Sequence, residues 1–349
     1  MTPFKIPLSL TLGIFFALMA CGTGQQEGSG DLSQCADEKD NDRDGLTDCE
    51  DPDCIAQGAC EGKVDSGIGN PDKGPDFCDP CKGKGRAWDQ VVTGEEITCA
   101  LDEAGWGRCW GEEDEGQLEI PAVQFTQIDV WADHGCGLDL RGEMHCWGNN
   151  EVGQATPQEG AFLSISTGDV TTCAVRENES IHCWGVDNPA INTPPSGSFT
   201  SVTVGFNHAC AISTEGKAHC WGDNSNGKAS PPDEIYAVIE AGESHTCGLV
   251  RSGRAVCFGS NNYGEEEPPS AVFTDLSTGH SSVAGVTVDG SLRAWGAMHY
   301  DDSTEVIEIT PPQGQFKDVS VNRHNGCAVS TEGQLVCWGD NSSGQTNPP

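Results

Sequence analysis

The sequence predicts an all-β protein: a seven-bladed β-propeller of three-stranded blades, preceded by a small irregular disulfide-rich N-terminal module. Three observations carry this reading. Cys-Trp-Gly starts at Cys109, Cys146, Cys183, Cys220 and Cys337, with Cys257-Phe-Gly and Ala294-Trp-Gly between, at spacings of 37 five times and then 43. An aromatic residue opens each unit at the same spacings: Trp88, Phe125, Phe162, Phe199, Tyr236, Phe273 and Phe316. Gly at 45 and Cys at 19, with only 4 Met and 3 Tyr, suit a turn-rich chain in an oxidising compartment. A fixed period of this length marks stacked or circular repeats. Seven similar units over 88–349, without a distinct capping repeat, favour a closed ring over a solenoid. The longer sixth spacing reads as a loop insertion around Met298 to Ile309.

Each unit divides into three strands. The first is the aromatic with alternating apolar residues, as in Phe199 to Gly205; the second follows a Cys, as in Cys210-Ala-Ile212; the third leads into Cys220-Trp221-Gly222. The second and third form a hairpin whose register follows from placing Cys210 opposite Cys220. Ala211 then faces His219, Ile212 faces Ala218 and Ser213 faces Lys217, leaving Thr214, Glu215 and Gly216 for the turn. A three-residue hairpin loop ends on a left-handed residue, which Gly adopts without steric cost. Gly105, Gly142, Gly216, Gly253, Gly290 and Gly333 supply it; the third unit has Glu179 there, after Asn178, so its turn is expected to differ.

Directly opposed antiparallel residues lie within disulfide range. The register therefore pairs Cys99 with Cys109, Cys136 with Cys146, Cys173 with Cys183, Cys210 with Cys220, Cys247 with Cys257 and Cys327 with Cys337. The sixth unit has Ala284 and Ala294 at both positions, as expected when a pair is lost together; zinc ligation explains this less well. Three strands leave the chain at the wrong end of a blade. A link such as Gly222 to Pro232 must run back, and its prolines suit an outer edge.

The chain begins with Lys5 and an uncharged apolar run from Ile6 to Ala20, a signal too short for a comfortable membrane span. It ends Leu18-Met19-Ala20-Cys21-Gly22, which resembles the lipobox of bacterial lipoproteins. That resemblance implies that Cys21 becomes the acylated N-terminus, in a protein held extracytoplasmically on the cell envelope by its lipid anchor. Residues 22–34 and 61–87 read as flexible linkers around a module at 35–60. From Asp40 to Asp51 the module places acids at loop positions 1, 3, 5, 9 and 12 and Gly45 at position 6, a spacing that wraps hard oxygen ligands around one ion. It looks like the calcium loops of EF-hands and, more closely, of thrombospondin type-3 repeats. The resemblance implies calcium as cofactor, held by Asp40, Asp42, Asp44, Asp48 and Asp51 and the backbone of Leu46. Cys35, Cys49, Cys54 and Cys60 are the candidate staples, with connectivity open, and Cys78 and Cys81 suit a local disulfide.

The recurring Trp-Gly, the Asn-Ser-x-Gly-Gln of Asn341 to Gln345, and His-x-Cys at His134, His208 and His245 resemble the regulator of chromosome condensation repeat family. The closer likeness is to its bacterial short-blade branch, which includes a secreted β-lactamase-inhibitor propeller. The resemblance covers about three quarters of the chain and implies the fold. The eukaryotic members act on chromatin and a small GTPase, and an exported acidic chain meets neither.

The formal net charge of -36 repels nucleic acid and anionic lipid and favours cations and basic proteins. No nucleophile elbow, zincin motif or phosphate loop is present. His145, His182 and His219, and His134, His208, His245 and His324, recur at repeat positions and read as structural. The loops between first and second strands share one end of the ring and differ from unit to unit. They carry Glu95, Glu96, Asp133, Asp169, Phe206, Asn207, Glu243, Ser244, His280, Ser281 and Arg323. Varied loops on a rigid scaffold suit binding. The expected function is a non-catalytic, monomeric binding module for a protein or glycan ligand. A carbohydrate-active propeller enzyme is the second reading, which a cluster of acids in the central channel would favour; a purely structural envelope protein is the third.

Overall fold

The computed structural model describes residues 87–299, 306–307 and 310–349. Cys21, the 35–60 module with its calcium ligands, and Cys78 and Cys81 lie outside the described residues. The described chain forms seven antiparallel three-stranded sheets, each in sequential strand order, with a two-residue-per-strand hairpin after the sixth. In blade four the inner strand is Phe199–Val204, the middle His208–Ser213 and the outer Ala218–Gly222. The middle strand pairs on both edges and packs on both faces, so small and apolar residues fill it throughout: Ile97–Asp102 of blade one and His134–Asp139 of blade two are buried at every position.

The hairpin register is the one derived above: Cys210 faces Cys220, Ala211 faces His219 and Ile212 faces Ala218. Six disulfides join Cys99–Cys109, Cys136–Cys146, Cys173–Cys183, Cys210–Cys220, Cys247–Cys257 and Cys327–Cys337. Ala284 faces Ala294 in the same register in blade six. Each inner strand carries a register shift just after its aromatic, as between Phe199 and Ser201. The bypassed Thr200 donates its hydroxyl to Ile212 O at 3.2 Å.

Gly216 closes its turn at φ +84, donating N–H to Ser213 O at 2.7 Å. The third blade corrects the expectation of a different turn. Glu179 adopts φ +68 and makes the same contact, N–H to Arg176 O at 2.8 Å. Its carbonyl also accepts from Phe199 N, as Gly216 O accepts from Tyr236 N, so the next blade holds the turn in place. Asn178 Oδ1 adds local bonds from Ser180 N and Oγ. The insertion after blade six is likewise more than a loop, since Met298–His299 pairs with Val306–Ile307.

Hydrophobic clusters lie between blades rather than within them. One joins Ile97, Cys99 and Leu101 of blade one to Phe125, Ile128, Val130 and Trp147 of blade two. The links between blades also turn inward. Gln117 is buried, and its carbonyl accepts from Trp147 Nε1 at 3.0 Å; Glu265 O accepts from Trp295 Nε1 in the same way. The last link closes the ring: Gln345 O accepts from Trp110 Nε1 at 2.9 Å and from Thr98 Oγ1 at 2.8 Å. Trp88 and Val91 pack with Cys327 and Val329 across the same seam.

Candidate functional site

The loops between inner and middle strands gather at one end of the ring because their first residues approach closely. A Cβ on Gly205 would meet Gly242 O at 2.1 Å, and one on Gly242 would meet Gly279 O at 2.4 Å. Only glycine admits that spacing without a shift. The seam continues around the ring, where Asn322 Nδ2 donates to Thr93 O at 2.9 Å.

This packing sorts the predicted face residues into two sets. Second loop positions supply Glu95, Asp169, Phe206, Glu243, His280 and Arg323. Burial raises the Glu95 pKa, Arg323 and His280 lower it, and Asp169 and Glu243 raise it further, so these groups share one electrostatic field. Burial, then Asp133 and Glu243, also raise Asp169. His280 Nε2 meets Glu243 Oε2 at 2.5 Å, and Phe206 is 46% exposed. Third loop positions supply Glu96, Asp133, Asn207, Ser244 and Ser281, whose carbonyls hold the residue after each outer strand; Asn149 N donates to Asp133 O at 2.8 Å and Ser260 N to Ser244 O at 2.9 Å. Ser281 is buried. Glu96 sits on the closing seam, accepting from Ser343 Oγ at 3.4 Å.

The links bring two residues to this face that strand-by-strand reading misses. Asp114 adds to the raised pKa of Asp133, after burial. Lys228 is buried, pairs with Asp223 at 2.9 Å, and donates to Asn207 Oδ1 at 2.5 Å and Glu243 O at 3.3 Å, tying two neighbouring loops together.

Below the loops, the central channel does contain acids: Asp129, Glu240, Asp275 and Asp318, all half-buried. Burial pushes Asp129 and Asp275 up to about 6, Glu240 to about 8, and Asp318 well above the ordinary carboxylate range. Their placement has a backbone cause. An inner strand leaves one edge of N–H groups without a strand partner, and buried donors need acceptors. The preceding blade supplies them: Thr167 N donates to Asp129 Oδ2 at 2.8 Å, Val319 N to Asp275 Oδ2 at 3.1 Å, Val91 N to Asp318 Oδ2 at 2.6 Å, and Val204 N to Ser166 Oγ at 3.0 Å. The adjoining cavity, about 60 Å³, falls far below the roughly 300–1,000 Å³ of small-molecule sites, so it gives a sugar ring no room.

The repeated histidines pack. His134 and His208 are buried, with Nε2 bonded to Thr172 and Thr246 of the next blades at 3.0 and 2.7 Å. Burial lowers their pKa values to about 4 and about 3. His145 and His219 stand edge-on to Phe125 and Phe199. Among the described residues, no three His, Cys, Asp or Glu side chains gather closely enough to hold a metal by themselves.

Residues 126–154, 199–228, 238–265 and 316–345 match the regulator of chromosome condensation (RCC1) repeat. These segments fall in four of the seven blades, the second, fourth, fifth and seventh, which carry the RCC1 repeat pattern. Two solved structures share this fold. The CRINKLY WD40 ectodomain of the Arabidopsis thaliana receptor kinase ACR4 is 24% identical at a TM-score of 0.59, over 73% of this chain and 96% of that one. The ectodomain of the Physcomitrella patens receptor kinase CR4 is 21% identical at a TM-score of 0.60, over 73% and 74%. No curated protein sequence matches the chain significantly. Six disulfides within this propeller mark an extracytoplasmic protein. Among the described residues no helix is long and apolar enough to cross a membrane.

Proposed function

We propose that this chain is a surface lipoprotein, anchored through Cys21, whose propeller binds a protein or glycan ligand at the loop face without catalysis. The observation that carries the reading is the convergence of Glu95, Asp169, Glu243, His280 and Arg323 from five different blades. A disulfide-braced ring holds these loops rigidly, which lowers the ordering cost of binding. Carboxylates that raise one another's pKa are relieved by a cationic neighbour, so a basic group on the ligand is the natural contact. Exposed Phe206 adds apolar area beside them. The non-catalytic reading is supported by the channel, where Asp129, Asp275 and Asp318 already serve backbone donors. The Asp40–Asp51 loop, N-terminal to the propeller in sequence, is proposed to hold calcium.

The test compares capture from native cell envelope by wild type and by a Glu95→Gln, Asp169→Asn, Glu243→Gln variant. The expected partner is retained by the first, lost by the second and released by salt. Equal capture by both removes the loop face from the proposal; loss after glycan digestion assigns the ligand to the glycan class. Cys21→Ser is expected to abolish acyl labelling and release the chain from membranes.

A further inference from the structure

We propose that the loop-end cavity of the central channel is a divalent-cation site of the calcium type, built from Asp129 and Glu240 with the hydroxyls of Ser166, Thr167, Thr203 and Thr278. Four observations converge on it. The polar side chains of the cavity wall are two carboxylates, a set of Ser and Thr hydroxyls, the Asn322 amide and the Trp131 indole, and no lysine, arginine or histidine lines it. Hard oxygen donors without nitrogen or sulfur select hard cations.

The wall also carries buried polar atoms without hydrogen-bond partners: Thr167 Oγ1, Thr278 Oγ1 and Trp131 Nε1, on residues only 1%, 7% and 8% exposed. Thr167 Oγ1 lies near enough to Asp129 to lower its pKa a little, without hydrogen-bond geometry. Buried polar atoms of this kind ordinarily have a partner. The two hydroxyl oxygens can ligate an ion, and the indole N–H, a donor only, suits a water or carboxylate oxygen of the ion's shell.

Glu240 departs from the ring pattern. At the equivalent position Asp129, Ser166, Thr203, Ser277 and Ser320 each accept a backbone N–H from the next blade. Glu240 instead accepts from Thr203 Oγ1 of the preceding blade at 3.3 Å. Its carboxylate is therefore not consumed by edge capping, and Asp129 and then Asp275 repel it. Two facing carboxylates without a counter-charge are balanced by one divalent ion.

The cavity, about 60 Å³, holds on the order of four waters, enough for an ion with part of its hydration shell. Because only two carboxylates contribute, hydroxyls and waters complete the shell. Calcium tolerates that irregularity where magnesium demands a near-octahedral one, and the affinity belongs to the weak extracellular class, about 10⁻⁴–10⁻³ M.

The test uses the full chain with Asp42→Asn and Asp44→Asn, which silences the separate calcium loop. With calcium at about ten times the dissociation constant, at neutral pH and constant ionic strength, the propeller melting temperature is expected to rise by about 3–5 °C. Glu240→Gln and Asp129→Asn are each expected to abolish the rise. Both keep the acceptor oxygens that Thr203 and Thr167 use, so the blades stay capped, and Glu240→Gln alone decides if the other variant fails to fold. Terbium, as a calcium surrogate, is expected to show indole-sensitised emission that falls at least severalfold in Trp131→Phe. No rise in the silenced chain overturns the site. So does an equal rise with choline chloride at matched ionic strength, or one that persists in Glu240→Gln.

Discussion

Replacing Cys210 and Cys220 together by alanine measures what one bridge contributes to the ring. Their separation is 10 residues, for which loop-closure entropy gives about 2.7 kcal/mol. Removing two sulfurs from a site where Cys210 is fully buried adds a small cavity, on the order of 1 kcal/mol. The sum, about 3–4 kcal/mol, corresponds to a fall in melting temperature of roughly 6–15 °C for a domain of this size. Blade six shows that the strands keep their register without the bridge: Ala284 faces Ala294, and Ala284 is fully buried. Calorimetry under oxidising conditions, with circular dichroism before and after, reads both stability and fold. Cys220→Ala alone is expected to be worse, because it strands a thiol that can mispair. A double variant that no longer folds would refute the reasoning, since the blade would then depend on the bridge for its register. Non-reducing peptide maps that link different blades would refute it too.

Glu179→Gly is expected to stabilise the propeller by about 0.5–1 kcal/mol, because relief of the left-handed strain, about 1–2 kcal/mol, exceeds the extra unfolded-state entropy of glycine. Gly216→Ala in the equivalent turn is expected to destabilise, and opposite signs in urea titrations check the pair. Stability should also depend on pH in two limbs when calcium is absent. Asp129, Asp275 and Glu240 have folded pKa values raised to about 6, 6 and 8, so their contribution is full below the unfolded carboxylate range and lost as pH rises through those values. His134, His208 and His245 have folded values lowered to about 4, 3 and 4, so theirs is full above the unfolded histidine pKa of about 6.5 and lost as pH falls through 4 to 3. From pH 8.5 down to about 7.5 the carboxylates dominate, and the melting temperature is expected to rise; Glu240→Gln should flatten that limb. A flat or falling curve there in wild type would count against the channel burial.

Much of each blade was legible because its determinants are local. A hairpin whose paired cysteines stand 10 apart, with a glycine at the third turn position, has its register written within one stretch of chain. Glu179 shows where such reading fails. Residue preference argues against a left-handed glutamate, yet a different turn would forfeit the bond from Phe199 N to Glu179 O, which comes from the next blade. The loop face was legible as a set of variable positions but not as a site. Which loop residues meet depended on the close approach of Gly205, Gly242 and their equivalents, and Asp114 and Lys228 reach the face from links that look like spacers.

By itself, then, the sequence determined the repeat, the three strands of each blade, their pairing and the six bridges, because period, alternation and turn chemistry act over a few residues. Tertiary structure decided how blade meets blade. Asp129 caps Thr167 N 38 residues away, and Asp318 caps Val91 N across 227, pairs that no local pattern announces. The same acidic letter reads as a solvated surface along one strand and as a backbone acceptor in a channel once the ring closes. Burial and the unpaired edge of the neighbouring strand, both properties of the assembled ring, give it that second meaning.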